Sequence, residues 1–115
     1  MDSRLRKEID QLHAQVCRGL ADTNRILILY ALGDHDHNVG ELAEALGLPQ
    51  PTVSRHLKTL RECGLVLARR NGQLVSYALA DRRIIQALDL LRGVLSSKLE
   101  GQASLARHAR QKQIP

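Results

Sequence analysis

The stretch GLPQPTVSRHLKTLRECG, residues 47–64, contains the pattern that decides the fold of this chain. Three apolar residues recur in it at spacings of four and three: Val53, Leu57 and Leu60. That spacing predicts an α-helix over residues 50–63 with one apolar face. Pro49 and Pro51 stand at its start, where proline is tolerated because the first N–H groups of a helix have no intrahelical partner. The two prolines therefore predict a rigid start to the helix.

The face of this helix opposite the apolar stripe is polar, and its N-terminal half is rich in hydrogen-bonding side chains. Helices that read DNA contact base edges mainly through their N-terminal residues, and Gln and Arg form bidentate contacts with adenine and guanine. Two further arginines stand beside a predicted hairpin turn, where they would meet the DNA backbone. We therefore predict a DNA-binding surface. Its predicted residues are Gln50, Thr52, Ser54, Arg55, His56, Lys58, Arg69 and Arg70.

The segments before this stretch predict three further helices. Residues 3–20 carry one apolar stripe at helical spacing, formed by Leu5, Ile9, Leu12, Val16 and Leu20. Residues 23–32 are apolar almost all round, which predicts a central helix that Asp22 caps and Gly33 breaks. Residues 39–46 predict a short helix that ends at the glycine opening the quoted stretch, because glycine adopts positive φ without steric cost.

After the quoted stretch the periodicity changes. Residues 65–70 and 74–79 predict two strands, joined by a hairpin turn at NGQ, residues 71–73. A last helix is predicted to start after Asp81. Its apolar stripe consists of Ile84, Leu88, Leu91, Leu95 and Leu99. The tail over residues 101–115 is polar and basic, which fits either a helical extension or disorder.

The predicted order is helix, helix, helix, turn, helix, hairpin, helix, so the chain is mainly α with a small β-hairpin. Two helices that are joined by a Gly-containing turn and followed by a hairpin indicate a winged helix-turn-helix. Residues 1–100 are predicted to form the DNA-binding and dimerisation domain. Residues 101–115 are predicted to form a basic C-terminal tail.

Length and composition agree with one small helical domain. The chain has 115 residues, 43% of them hydrophobic, but no Trp or Phe, so Leu, Ile, Val and Ala must form the core. The net charge of +5 and the pI of about 9.8 favour an anionic partner such as double-stranded DNA. No stretch resembles a signal peptide or approaches ~20 apolar residues, which predicts a cytoplasmic protein without a membrane partner. Phosphate loops, HExxH motifs and nucleophile elbows are absent, so we do not predict an enzyme.

Two segments resemble the ArsR/SmtB family of bacterial winged-helix repressors. They are RGLADTNRILILYAL, residues 18–32, and VGELAEALGLPQPTVSRHLKTLRECGLVLARRNGQLVSYALAD, residues 39–81. The resemblance implies a homodimer whose first and last helices form the interface, with the recognition helices in successive major grooves of an imperfect palindrome. It also implies that the bound protein represses transcription until an inducer loosens the complex.

The metal-binding segments known from that family are altered in this chain. A segment that often carries thiolates reads HNVGELA at residues 37–43, and a DHH-like motif reads DRR at residues 81–83, so no metal is assigned to either. Imidazole and thiolate suit Zn, Cu or Ni, which leaves a metal or metalloid at an unassigned site as one interpretation. The simpler interpretation is that His35 and His37 belong to a polar loop and that the cysteines only pack. The candidate sensing residues are Cys17, His13 and Cys63.

Two other functions fit the same pattern. An interaction module would keep the winged-helix fold without binding DNA specifically. A MarR-like regulator would share the fold, although such chains usually carry more helix at both ends. An assay of DNA binding against competitor DNA separates a specific DNA-binding protein from an interaction module.

Overall fold

The computed structural model describes the backbone of residues 1–113 and the side chains of residues 1–103 and 105–108. The helices are α1 Ser3–Gln11, α2 Arg18–Leu20, α3 Thr23–Asp34, α4 Val39–Leu46, α5 Gln50–Glu62 and α6 Arg83–Gln113. The strands are β1 Val66–Asn71 and β2 Leu74–Leu79. A π-helical segment, Leu12–Cys17, joins α1 to α2. The predicted order of elements, mainly α with one small hairpin, is confirmed.

Helix α3 supplies the centre of the core, because its sequence is apolar on nearly every side. Ile28, Leu29 and Leu32 are all buried. The carboxylate of Asp22 caps the helix as predicted, since it accepts hydrogen bonds from the backbone N–H groups of Asn24 and Arg25 at 2.8 and 3.2 Å. The helix does not break at the predicted glycine but runs one residue further, to Asp34.

Helices α4 and α5 form the helix-turn-helix. Asn38 and Glu41 cap α4 reciprocally, each side chain accepting a hydrogen bond from the other residue's backbone N–H, at 2.8 and 3.0 Å. Gly47 ends α4 with a φ of 65°, the left-handed conformation that glycine adopts readily. The Pro49 carbonyl then accepts the first backbone hydrogen bonds of α5. The three apolar residues predicted to face inward on α5 are at most 1% exposed: Val53, Leu57 and Leu60.

Strands β1 and β2 form an antiparallel hairpin, the wing, in which Val66 pairs with Leu79 and Asn71 pairs with Leu74. Only two residues therefore form the turn, Gly72 and Gln73, and Gly72 has a φ of 67°. A two-residue turn with glycine first fits a type II′ hairpin, whose twist matches that of the strands. The hairpin after α4 and α5 confirms the predicted winged helix-turn-helix.

The chain forms two compact units, which divide after Arg82. The second unit contains α6, which continues to Gln113. Of the two predictions for the tail, a helical extension or disorder, the helical extension is therefore found as far as that residue. Residues 114 and 115 lie outside the described part, and the predicted domain boundary at residue 100 stays a prediction. Within residues 1–113, no helix is long and apolar enough to cross a membrane.

Candidate nucleic-acid interface

Helix α5 presents a polar face on the side opposite its buried stripe. The side chains on this face are exposed near its N-terminus, at Gln50, Ser54 and Arg55, and one turn later at Lys58. The Nη2 atom of Arg55 donates a hydrogen bond to the hydroxyl oxygen of Thr52 at 3.3 Å. The structure thus brings five predicted DNA-binding residues onto one surface, which we call the α5 face.

The N-terminus of α5 offers few backbone donors to an anion. Pro51 has no N–H, and the N–H groups of Thr52 and Val53 both donate to the Pro49 carbonyl, at 3.1 and 3.2 Å. A helix N-terminus usually binds phosphate through such free N–H groups. On this helix, side chains must therefore provide most contacts to a bound phosphate.

His56 points away from the α5 face and towards the start of α3. Its side chain is only 16% exposed, and its Nε2 atom lies 3.9 Å from a carboxylate oxygen of Asp22. Its Nδ1 atom lies 3.5 Å from the Nη1 atom of Arg25. Three positions after Val53 and four before Leu60, His56 shares the inward side of the helix, which the spacing alone could have indicated. A contact of His56 with DNA stays a prediction.

The two arginines of the wing have different surroundings. Arg69 lies 3.4 Å from a carboxylate oxygen of Asp36 in the loop before α4. Arg70 follows it on β1, and successive residues of a strand point to opposite faces, so the two guanidinium groups do not form one patch. Both side chains are exposed. Arg70 is therefore a cation on one face of the wing, and Arg69 lies on the other face.

The loop before α4 is tied to the wing, a connection that the sequence did not predict. The backbone N–H of His37 donates to the Tyr77 carbonyl at 3.2 Å, and the N–H of Tyr77 donates back at 2.8 Å. Together with the Arg69–Asp36 pair, these bonds fix the wing against the helix-turn-helix. Pairing between residues forty positions apart leaves no periodic signal in the sequence, so no pattern could have revealed it.

A second cation lies near Lys58, where α5 meets β1. Lys58 and Arg61 line an open groove of about 560 Å³, with Leu67 and Ala68 along its other side. Sequence reasoning did not include Arg61 among the DNA-binding residues. Its position beside Lys58 adds a positive charge at the C-terminal end of the α5 face, where the acidic Glu62 also lines the groove.

The contacts at the start of α3 act on the carboxyl group of Asp22. The hydrogen bond from the backbone N–H of Arg25 is the main cause that lowers the pKa of Asp22 below its ordinary value. The positive charge of Arg25 acts in the same direction, as does that of His56 when its imidazole is protonated, and partial burial opposes them. Asp22 is therefore a stable anion beside the inward side of α5.

The candidate sensing residues lie at separate places. His13 and Cys17 are exposed on the π-helical segment, whereas Cys63 is 5% exposed at the end of α5, and both cysteines are free thiols. The rings of His35 and His37 lie 4.0 Å apart between centroids. No group of three or more His, Cys, Asp or Glu residues among the described side chains could hold a metal ion.

Comparison with known proteins gives several matches. The family model "Bacterial regulatory protein, arsR family" matches residues 22–67. The regulator CmtR of Mycobacterium tuberculosis is 48% identical over 84 residues, which are 72% of this chain and 71% of CmtR. The regulator KmtR of the same organism is 43% identical over 75 residues, which are 65% of this chain but only 58% of KmtR.

Solved structures agree with these matches. The homodimeric winged helix-turn-helix DNA-binding domain of Mb0332 from Mycobacterium bovis is 32% identical, with a TM-score of 0.75 over 88% of this chain and 93% of that domain. The solution structure of CmtR, described as a cadmium metal-sensor, is 49% identical, with a TM-score of 0.59 over 68% of this chain and 81% of that one. The chain therefore belongs to the ArsR family of bacterial regulatory proteins, a family of transcriptional regulators and not of enzymes, as the sequence predicted.

Proposed function

We propose that this protein is a homodimeric repressor that binds a short, imperfectly palindromic stretch of double-stranded DNA. The observation that carries the proposal is the α5 face, where Gln50, Ser54 and Arg55 are exposed on a helix whose apolar stripe is buried in the core. Such a helix is held rigidly while its polar residues remain free to reach base edges in the major groove. The net charge of +5 favours the same partner.

The residues of the interface divide into two roles. Arg55, with Gln50 and Ser54 beside it, reads bases, because a guanidinium can bind guanine through two hydrogen bonds. Lys58 and Arg70 contact phosphates, which position the protein without reading sequence. Because a bacterial repressor binds DNA in the cytoplasm, we propose that the protein is cytoplasmic.

Homodimerisation is supported by apolar surface on each of the two units. On α1 and at the start of the π-helical segment, three apolar side chains are 42–51% exposed: Leu5, Ile9 and Leu12. On α6, three leucines of the predicted stripe are 55–61% exposed: Leu91, Leu95 and Leu99. Exposed apolar stripes of this extent favour burial against a second copy. The similar Mb0332 domain is homodimeric. Two copies of α5 would then meet half-sites about one helical turn apart.

DNA binding is tested by measuring the affinity for promoter fragments in the presence of competitor DNA at moderate salt. A specific repressor retains at least one fragment, and its affinity falls steeply as salt is raised. An interaction module with the same fold would show no preference over the competitor. Equal affinity for promoter fragments and competitor DNA would therefore support an interaction module.

We further propose that release from DNA is triggered at a thiol. The related CmtR is described as a cadmium metal-sensor, whereas the described side chains of one chain here contain no group of three or more His, Cys, Asp or Glu that could hold a metal ion. Cys17 is the accessible thiol, whereas Cys63 is buried, so a metalloid or a thiol-reactive inducer would reach Cys17 first.

Release is tested with wild type, Cys17→Ser and Cys63→Ser on bound operator DNA, with divalent metals, arsenite and peroxide added separately. Loss of release in Cys17→Ser alone supports sensing at that thiol. Release of all three proteins from DNA by the same agents contradicts cysteine sensing. Release of all three by divalent metals alone would instead indicate that the inducer is a metal ion bound at a site shared between subunits.

A further inference from the structure

Arg25 joins the end of the N-terminal helical run to the recognition helix. Its Nε atom donates to the carbonyl of Gly19 at 2.9 Å, and its Nη2 atom donates to the carbonyl of Arg18 at 3.0 Å. These carbonyls belong to α2, and the carbonyl of Arg18 also accepts a hydrogen bond from the backbone N–H of Ala21 at 3.4 Å. The remaining nitrogen, Nη1, lies 3.5 Å from Nδ1 of His56 on α5. One side chain on α3 therefore contacts both α2 and α5.

The two groups that face His56 fit its neutral form. With a proton on Nε2, the imidazole points a donor towards the carboxylate of Asp22 and an acceptor, Nδ1, towards the guanidinium of Arg25. Because His56 lies on the inward side of α5, these contacts add to the buried stripe in setting the rotation of the helix about its own axis. That rotation decides where the α5 face points.

The same two residues of α2 also meet the far end of α5. Arg18 pairs with Glu62 at 3.3 Å. A methyl group added at Gly19 would lie 2.6 Å from Leu65 Cδ1 and 3.5 Å from the sulfur of Cys63, so the backbone there is already in contact with the residues that follow α5. Helix α2 thus holds α5 at two places, near its middle through Arg25 and directly at its C-terminal end.

We propose that Arg25 is a positioning residue for operator binding, which holds α5 at the correct angle through His56 without touching DNA. This inference rests on the proposed function, because it presupposes that α5 reads DNA. A salt-dependent DNA contact and a positioning role make different predictions, since only a contact with phosphate releases counterions. Double-variant coupling separates them further, because residues that act through one contact are not additive.

The experiment measures affinity for the operator and for competitor DNA, each over a range of salt, in the full-length protein. The variants are Arg25→Ala, His56→Ala, the two combined, and His56→Asn, whose side-chain oxygen replaces Nδ1 as an acceptor. Arg4→Ala, which removes one exposed positive charge from α1, is the matched control. We expect Arg25→Ala and His56→Ala each to lower the preference for operator over competitor about tenfold, within the range typical of coupled contacts.

We expect the combined variant to lose no more operator preference than the single variant with the larger loss. We expect His56→Asn to recover most of the preference. The slope of log affinity against log salt should be the same in every variant as in Arg4→Ala. A salt slope that falls by about one in Arg25→Ala alone would instead identify a direct phosphate contact and overturn the inference. Additive losses, or an unchanged preference, would also overturn it. If Arg25→Ala does not fold, the operator preference of His56→Ala is compared with that of His56→Asn, and equal preferences of these two variants would overturn the inference. A wild type without any operator preference would contradict the proposed function instead.

Discussion

The Nη2 atom of Arg55 lies 3.3 Å from the hydroxyl oxygen of Thr52, one turn earlier on α5. The Thr59 hydroxyl in turn donates to the backbone carbonyl of Arg55, also at 3.3 Å. The contact with Thr52 places the guanidinium over the N-terminal half of the α5 face in the absence of DNA. A side chain that is ordered in advance loses less conformational entropy on binding.

Arg55→Ala should relax the preference for one base in each half-site by roughly 1–3 kcal/mol, because that is the contribution of a bidentate contact. Arg55→Lys should restore affinity but not preference, since an ammonium cannot form the same pair of hydrogen bonds. Affinities for the operator and for single-base variants of it measure both effects. Equal weakening on every sequence would remove Arg55 from base reading.

Arg70→Ala should weaken binding to all DNA sequences to a similar extent and lower the slope of log affinity against log salt by about 0.9, as expected for one lost phosphate contact. Asp36→Asn serves as a comparison for protein stability, because it keeps every arginine but removes the ion-pair partner of Arg69. An exposed pair of this kind contributes about 0–1 kcal/mol, so we expect the stability of Asp36→Asn to change little. A base-specific loss in Arg70→Ala would contradict a backbone role for that residue.

Gly19→Ala should destabilise the fold, because the added methyl group would meet the buried Leu65 side chain at 2.6 Å. Overpacking usually costs about 1–3 kcal/mol, and the better helix propensity of alanine offsets part of that cost. Gly93→Ala on α6 is the matched control, since no neighbouring atom lies within 4 Å of the new methyl group. There we expect stabilisation by roughly 0.5–1 kcal/mol from better helix propensity. Urea unfolding at a fixed protein concentration measures both, and similar effects of the two variants would contradict the close contact of α2 with α5.

Asp22→Ala should cost about 0.5–2 kcal/mol near neutral pH through loss of the cap of α3. Since folding lowers the pKa of Asp22, its contribution is fully present above the ordinary carboxyl pKa and is lost as pH falls below about 4. The gap between wild type and Asp22→Ala in the free energy of unfolding should therefore narrow in acid. Asp10→Ala, on the exposed surface of α1, controls for the loss of a carboxylate, and a gap independent of pH would contradict the charged cap.

The parts of the structure that follow from local periodicity could be predicted from the sequence. The stripe Val53, Leu57 and Leu60 fixed the buried side of α5, and Gly47 marked the end of α4 because a positive φ is required there. The hairpin followed from the change to alternating residues. Each of these signals acts within one element, where spacing and chain stereochemistry decide the outcome.

The contacts between elements could not be predicted in the same way. The bonds of His37 to Tyr77 and the pair of Arg69 with Asp36 join residues more than thirty positions apart, and their partners are settled only by the packed chain. The orientation of His56 was within reach of the helical spacing, but its partners on α3 were not. The π-helical segment was missed because its apolar residues keep spacings that an ordinary α-helix also shows.

The most direct test of DNA reading by the α5 face is selection of bound sequences from a random DNA pool, with wild type and Arg55→Ala in parallel. The wild type should enrich one palindromic sequence with half-sites about one helical turn apart. Arg55→Ala should enrich the same palindrome with one position per half-site left unspecified. A wild type that enriches no common sequence, or a variant whose sequence is identical at every position, would contradict the account.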